Sequence, residues 1–95
     1  MTEQANKVQQ HLAAFSDARR RGDRGAELRH LDAALALAPH DPQLLNARGM
    51  HHLQDQNWDA ASDLFKLAAA ADPGEPILWI NLATARRALD DVPGE

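Results

Sequence analysis

The sequence predicts an all-α protein built from antiparallel helix pairs, and three features of the chain lead to this expectation. Apolar residues recur at the spacing of a helix face rather than that of a strand. Prolines, glycines and Asp or Asn residues stand where such helices would begin and end. The same landmarks return after about 34 residues, as Pro39 returns at Pro73 and Pro42 at Pro76. We therefore expect five helices, forming two complete pairs and a fifth helix.

The first pair is expected from about Glu3 to Ala38. Its first helix should end at Arg21, because Gly22-Asp23 follows, and its second should begin near Arg24. Val8, Leu12, Phe15 and Arg19 share one face of the first helix at helical spacing. The buried stripe of the second helix is expected to comprise Leu28, Leu31, Ala34 and Leu35.

The middle pair, between Asp41 and Pro76, organises the rest of the chain. Asp41 should cap a helix that begins at Pro42, and Asn57 should cap the next, because both side chains can accept amide protons. Gly49 is small where the two helices must approach closely. The residues expected to pack between them are Leu45, Gly49 and His52 on one helix and Ala61, Leu64, Phe65 and Ala68 on the other.

The fifth helix is expected from about Pro76 to Asp90, and no second helix follows it in the sequence. Its apolar residues include Ile77, Trp79 and Ile80, so part of its surface should be exposed and would favour a homodimer. Two explanations remain open. The first is that the helix is a solvent-facing cap. The second, which we expect, is that the chain is the N-terminal part of a longer protein.

These repeats resemble the tetratricopeptide (TPR) family, whose signature is W-x2-L-G-x2-Y, then A-x3-F, then P. The middle unit matches at Leu45, Gly49, Ala61, Phe65 and Pro73. The third unit matches at Trp79, Leu82 and Ala83, and the first at Leu31, Ala34 and Pro39. The resemblance implies one TPR domain over 1–95, a helix-turn-helix solenoid of about two and a half repeats. Repeat one would cover about 8–41, repeat two about 42–75 and a partial repeat three about 76–95.

Composition and charge narrow the classes of function. A formal net charge of -4 and a pI near 5.6 argue against nucleic-acid binding, which requires a basic surface. The absence of cysteine excludes a disulfide scaffold and thiolate chemistry. No apolar run approaches the roughly 20 residues of a membrane span. We expect a cytoplasmic protein, and the Ala-, Arg- and Asp-rich composition is typical of GC-rich bacterial genomes.

No catalytic constellation is recognisable, so we expect neither enzymatic activity nor a cofactor. The chain lacks the G-x-S-x-G and phosphate-binding glycine patterns. His51 and Asp55 are one helical turn apart, as two metal ligands would be, but no third ligand is evident. We therefore expect no metal site, with His52 in the core and His51 on the surface.

The remaining candidate site is the groove that the resemblance implies along the first helix of each repeat. Residues one turn apart and off the predicted core stripes supply most of its lining. Ile77 and Asn81 stand where some family members bind the terminal carboxylate of heat-shock chaperones, but only Asn81 conforms, so that partner is not expected. The full set is Leu12, Ser16, Arg19, Arg20, Asn46, Met50, Leu53, Ile77, Ile80, Asn81, Thr84 and Arg87.

We expect this groove to make the chain a protein–protein interaction module. It would hold a peptide or partner segment by apolar contacts, with arginines pairing with carboxylates. The bland explanation for the arginines that end the first helix is that they complement its dipole. The alternative function is an N-terminal accessory TPR domain, recruiting substrate or oligomerising, of a larger bacterial enzyme such as a hydroxylase or transferase.

Overall fold

The computed structural model describes residues 3–91, apart from the side chain of Gln4, and this part of the chain is all-α, as expected. The helices begin and end within one residue of the boundaries that the sequence analysis predicts for them. The predicted domain and third-repeat limits, 1–95 and 76–95, extend beyond the described residues. The helices are α1 Glu3–Arg21, α2 Arg24–Leu37, α3 Pro42–Gln54, α4 Trp58–Ala71 and α5 Pro76–Asp91.

The helices form two compact units. Unit 1, Met1–Pro39, contains α1 and α2, which pack against each other. Unit 2, His40–Glu95, contains the other three helices, and α4 packs against both α3 and α5. One side of α5 therefore faces α4, and the opposite side of α5 is exposed.

The core of unit 1 is small and rich in alanine. Its buried residues are Ala18, Ala26, Leu31 and Ala34. Arg19 is exposed, whereas its neighbour Ala18 is fully buried. An alanine lets two helices approach closely, whereas a buried guanidinium would lose its hydration. Leu28 and Leu35 are half-buried rather than buried, so this core is narrower than the predicted stripe.

The core of unit 2 is centred on Phe65, which is fully buried. It forms a cluster with Ala61, Leu82 and Ala85, so residues of α4 and α5 share one core. A Cβ atom added at Gly49 of α3 would lie only 2.6 Å from Cε1 of Phe65. The predicted close approach of α3 and α4 at Gly49 is thus confirmed, and glycine is required there because the aromatic ring occupies the space.

The backbone repeats with the same shift of about 34 residues that the sequence shows. Helices α2 and α4 each contain 14 residues. The turn before each contains a residue in the left-handed region, Gly22 with φ 73° and Gln56 with φ 62°. The C-caps Ala38 and Asp72 have φ of -136° and -139°. The two helix hairpins therefore use one turn geometry, although only the first has glycine in its left-handed position.

Of the two side chains predicted to cap helix N-termini, Asp41 does so and Asn57 does not. The Asp41 carboxylate accepts hydrogen bonds from the backbone N–H groups of Gln43, at 2.9 Å, and Leu44, at 3.2 Å. Asn57 occupies the N-cap position of α4 but makes no side-chain cap bond. Its Nδ2 atom instead donates to Nδ1 of His52 at 3.2 Å, so the prediction of a capping Asn57 side chain is wrong.

Candidate protein-binding surface

The exposed side of α5 carries three large apolar residues. Ile77, Trp79 and Ile80 are 48%, 47% and 57% exposed. Leu78 and Leu82, on the opposite side of the same helix, are buried. This division follows from helical periodicity, because α4 can cover only one side of α5. The predicted exposure of apolar residues on the fifth helix is confirmed, and we call Ile77, Trp79 and Ile80 the apolar patch.

The indole of Trp79 is held at the beginning of α5. Its Nε1–H group donates a hydrogen bond to the backbone carbonyl of Pro73 at 2.9 Å. This bond satisfies the polar atom of the ring, so the rest of the indole can remain a nonpolar contact surface at low entropic cost. A residue in the loop thus positions one member of the apolar patch.

Charged residues of opposite sign flank the apolar patch. Asp72 and Glu75 precede it in the loop between α4 and α5, and Arg86 and Arg87 follow it on α5. All four side chains are exposed, and none of them forms an ion pair with another described residue. Asp90 and Asp91, which are also exposed, follow the two arginines at the end of α5 and border the same depression as they do, so charges of both signs surround the apolar patch.

A polar contact joins α3 to α5 beside the apolar patch. Nδ2 of Asn81 donates to Oδ1 of Asn46 at 2.8 Å. The N-terminal parts of the two helices border a cleft of about 190 Å³. Asn46 and Asn81, two of the predicted groove residues, are thus hydrogen-bonded to each other. The residues that line the cleft are Pro42, Gln43, Asn46, Asp72, Glu75, Ile77 and Leu78.

Other predicted groove residues of unit 2 have different surroundings. Met50 and Leu53 are half-buried and pack against the core cluster around Phe65, so the prediction that they stand off the core stripe is corrected. Thr84 is exposed, but its hydroxyl donates to the carbonyl of Ile80 at 2.9 Å. Arg87 is exposed, as a residue that contacts a partner carboxylate must be.

The predicted groove residues of α1 belong to unit 1, which is described by itself. Leu12 is half-buried, whereas Ser16, Arg19 and Arg20 are exposed and border a shallow depression. Arg20 lies 3.5 Å from the carboxylate of Asp17. An exposed pair of this kind contributes little to stability, typically about 0–1 kcal/mol, so the guanidinium of Arg20 stays accessible to other carboxylates.

The histidines differ from their predicted positions. His51 is buried and His52 is half-buried, the reverse of the expectation. His51 follows Leu44 by two helical turns and shares its side of α3, whereas the ring of His52 bonds to Asn57 near the surface. Within residues 3–91, no group of three or more His, Cys, Asp or Glu residues is arranged to hold a metal ion.

Unit 1 contains a histidine pair that the sequence analysis did not identify. Nδ1 of His11 and Nδ1 of His30 lie 3.3 Å apart, so one ring donates and the other accepts a hydrogen bond. The ring centroids are 5.5 Å apart. Folding α1 and α2 as an antiparallel pair about the Gly22-Asp23 turn would have placed the two residues within about one helical turn of each other. The proximity of His11 and His30 could therefore have been predicted from the sequence.

Across the described residues, none of the helices combines the length and apolar character needed to cross a membrane. The chain matches no protein-family model, and comparisons with curated proteins and with solved structures find no significant match.

Proposed function

We propose that the chain is a protein-interaction module built from TPR-type repeats, and that its interaction surface on unit 2 consists of α5 and the adjoining edge of α3. The observation that carries this proposal is the apolar patch on α5. Ile77 and Ile80 are one helical turn apart and both exposed, and adjoining apolar side chains on a surface often mark a binding site. A hydrogen-bonded Trp79 at its edge is typical of a contact surface that binds without much reordering.

The TPR assignment is supported by the agreement between two kinds of repetition. The sequence repeats its landmarks after about 34 residues, and the backbone repeats its helix lengths, turns and C-caps with the same shift. The close approach of Gly49 to Phe65 also supports the proposal, because these are the residues that match the small and aromatic positions of the family signature in sequence. A helix-pair repeat of this kind usually presents a binding surface rather than a catalytic centre.

The chemistry of the surface favours a partner segment that is apolar and carries an acidic residue at the end that meets Arg87. Ile77 and Ile80 offer aliphatic contacts, and Arg87 offers a guanidinium to a carboxylate. The cleft beside Asn46 and Asn81 adds amide groups that can bond to a peptide backbone. These features define a site for an extended or helical segment of a protein.

A peptide-display selection against the purified chain tests this function directly. The selected peptides should carry aliphatic or aromatic residues next to acidic ones. Replacing Ile77 with Ser should weaken their binding about fivefold, because roughly half of the burial energy of an isoleucine, about 1 kcal/mol, would be lost. Replacing Arg87 with Glu should weaken the acidic peptides more strongly, because an attraction becomes a repulsion.

Leu67 provides the matched control. It is a large apolar residue of α4 in the same unit and is 55% exposed. Leu67→Ser should leave peptide affinity unchanged, and all three variants should retain the helicity of the parent chain. Selection that yields no reproducible binder, or binding that ignores Ile77→Ser and Arg87→Glu alike, would show that this surface is not the site.

A further inference from the structure

We infer that the His11–His30 pair of unit 1 is a zinc site, in which both Nδ1 atoms bind one Zn²⁺ ion and water completes the coordination shell. This inference is independent of the proposed function, because it concerns unit 1 and not the surface on unit 2. Neutral imidazole is one of the ligands that zinc prefers in proteins. The two rings belong to different helices, so a bound ion would link α1 to α2 across a small core.

The separation of the two nitrogen atoms matches that of two ligands on one tetrahedral ion. A Zn–N bond is about 2.0–2.1 Å long, so two nitrogens at the tetrahedral angle are about 3.3–3.4 Å apart. The Nδ1 atoms of His11 and His30 are 3.3 Å apart. Square-planar and octahedral ions hold neighbouring ligands at about 90 degrees, which would require nitrogens about 2.9 Å apart at the same bond length. The observed distance therefore favours an ion with tetrahedral geometry.

Both nitrogen atoms face the gap between the rings. The ring centroids are 5.5 Å apart, farther than the nitrogens, and the ring planes are tilted by 39° rather than stacked. The hydrogen bond between the rings is long, since such N–H bonds usually span about 2.7–3.2 Å. Within residues 3–91, neither Nδ1 atom has another hydrogen-bond partner. A metal ion would therefore displace one long hydrogen bond and no stronger contact.

Zinc binding changes the tautomer of one ring and releases no proton. Without the ion, one Nδ1 atom carries a hydrogen and donates it to the other. When both Nδ1 atoms bind zinc, this hydrogen passes through water to Nε2 of the same ring. Both imidazoles stay neutral, and each carries its hydrogen on Nε2.

The site should exchange its ion readily. His11 and His30 are half-buried, so water can reach the other coordination positions. No third His, Cys, Asp or Glu within residues 3–91 is arranged to join them. Structural zinc sites have four protein ligands, and this site has half that number, so we expect a dissociation constant of about 10–100 µM. The sequence-based expectation of no metal site concerned His51 and Asp55 and did not consider histidines on two packed helices.

Titration calorimetry of the chelator-treated chain with ZnCl₂ tests the site. The parent chain should bind one Zn²⁺ per chain, whereas MgCl₂ should give no binding heat, because Mg²⁺ prefers oxygen ligands. His11→Gln and His30→Gln should each weaken zinc binding at least about 10-fold, since each removes one of the two ligands. His40→Gln is the matched control, because His40 is exposed and lies outside the pair, and it should bind zinc as the parent does.

Two calorimetric results would overturn the inference. The first is a parent chain that binds no zinc up to about 1 mM, and the second is binding that His11→Gln and His30→Gln retain in full. The second result would mean that zinc binds elsewhere on the chain.

Nitrogen-15 NMR of the imidazole rings tests the ligand atoms without any substitution. Of the five histidines, only His11 and His30 should respond to one equivalent of zinc, with large shifts at Nδ1 and a hydrogen retained on Nε2. Shifts at other histidines, or at Nε2 of this pair, would refute the assignment, even if the glutamine variants fail to fold.

Discussion

Gly49 is the position where one added methyl group should most clearly test the packing of unit 2. In most helices, replacing glycine by alanine stabilises the protein, because alanine restricts the unfolded chain and favours helix. At Gly49 of α3 the added Cβ atom would lie 2.6 Å from Cε1 and 2.8 Å from Cδ1 of Phe65. Nonbonded carbon atoms prefer about 3.5–4.0 Å, so the ring or the helix must move.

The balance of the two effects gives the expected magnitude. The gain in helix propensity is about 1 kcal/mol. Overpacking of a well-packed core costs about 1–3 kcal/mol, and the fully buried ring of Phe65 places this site towards the upper end. Gly49→Ala should therefore lower the free energy of unfolding of unit 2 by about 1–2 kcal/mol. In a domain of this size, that change lowers the melting temperature by about 5–10 °C.

Tryptophan fluorescence during urea denaturation measures this change in the right part of the molecule. The chain contains two tryptophans, Trp58 and Trp79, and both belong to unit 2. The double variant Gly49→Ala/Phe65→Leu provides the mechanistic check. If the clash with the ring is the cause, the alanine should cost at least about 1 kcal/mol less when leucine replaces Phe65.

Gly25→Ala is the control for the intrinsic effect of the substitution. Gly25 lies in α2, and its nearest contact for an added Cβ is Arg29 Nη1 at 3.5 Å, an ordinary van der Waals distance. Circular dichroism should show that this variant is as stable as the parent or more stable. A Gly49→Ala variant that behaves in the same way, without loss of stability, would refute the close packing of α3 against Phe65.

Three further predictions concern the stability of unit 2, again measured by fluorescence-detected urea denaturation. Asp41→Ala should destabilise by about 1 kcal/mol because two cap hydrogen bonds are lost, whereas Asn57→Ala, which removes none, should cost clearly less; equal losses would contradict the cap assignment. Gln56→Gly should stabilise by up to about 1 kcal/mol, because φ of 62° is strained for glutamine; a loss of stability would show that the Gln56 side chain is needed. Replacing Met50 and Leu53 together by Ser should destabilise by at least about 2 kcal/mol, since both pack against the core cluster; unchanged stability would restore them to the binding surface.

The fold was largely predictable because its determinants are local. The Asp41-Pro42 pair, the Gly22-Asp23 turn and the period of about 34 residues fixed the number of helices and nearly all their ends. Burial was harder to predict at the level of single residues. Neighbouring residues on a helix differ by about 100 degrees in direction, so a small rotation of α3 put His51 in the core in place of His52.

The candidate site was predictable only in part, because it depends on contacts between distant segments. The exposure of Ile77 and Ile80 agrees with helical spacing, which separates them from Leu78 and Leu82 on the side of α5 that packs against α4. The bond between Asn46 and Asn81 joins residues of two helices, and its existence depends on how both pack against α4. Met50 and Leu53 were misassigned for the same reason, since helical spacing alone does not say which neighbouring helix they touch.

The turn geometry shared by Gly22 and Gln56 suggests that the segment 42–75, which we call a cassette, is a unit that the backbone can repeat. Pro42 and Pro76 stand at the first positions of α3 and α5, so the chain leaves this cassette in the same way as it enters it. A gene duplication of this segment would add two helices without requiring any new way to reverse the chain direction. This architecture should therefore tolerate the insertion of a whole cassette better than a shorter insertion. A shorter insertion within a helix would rotate the residues that follow it away from the core side.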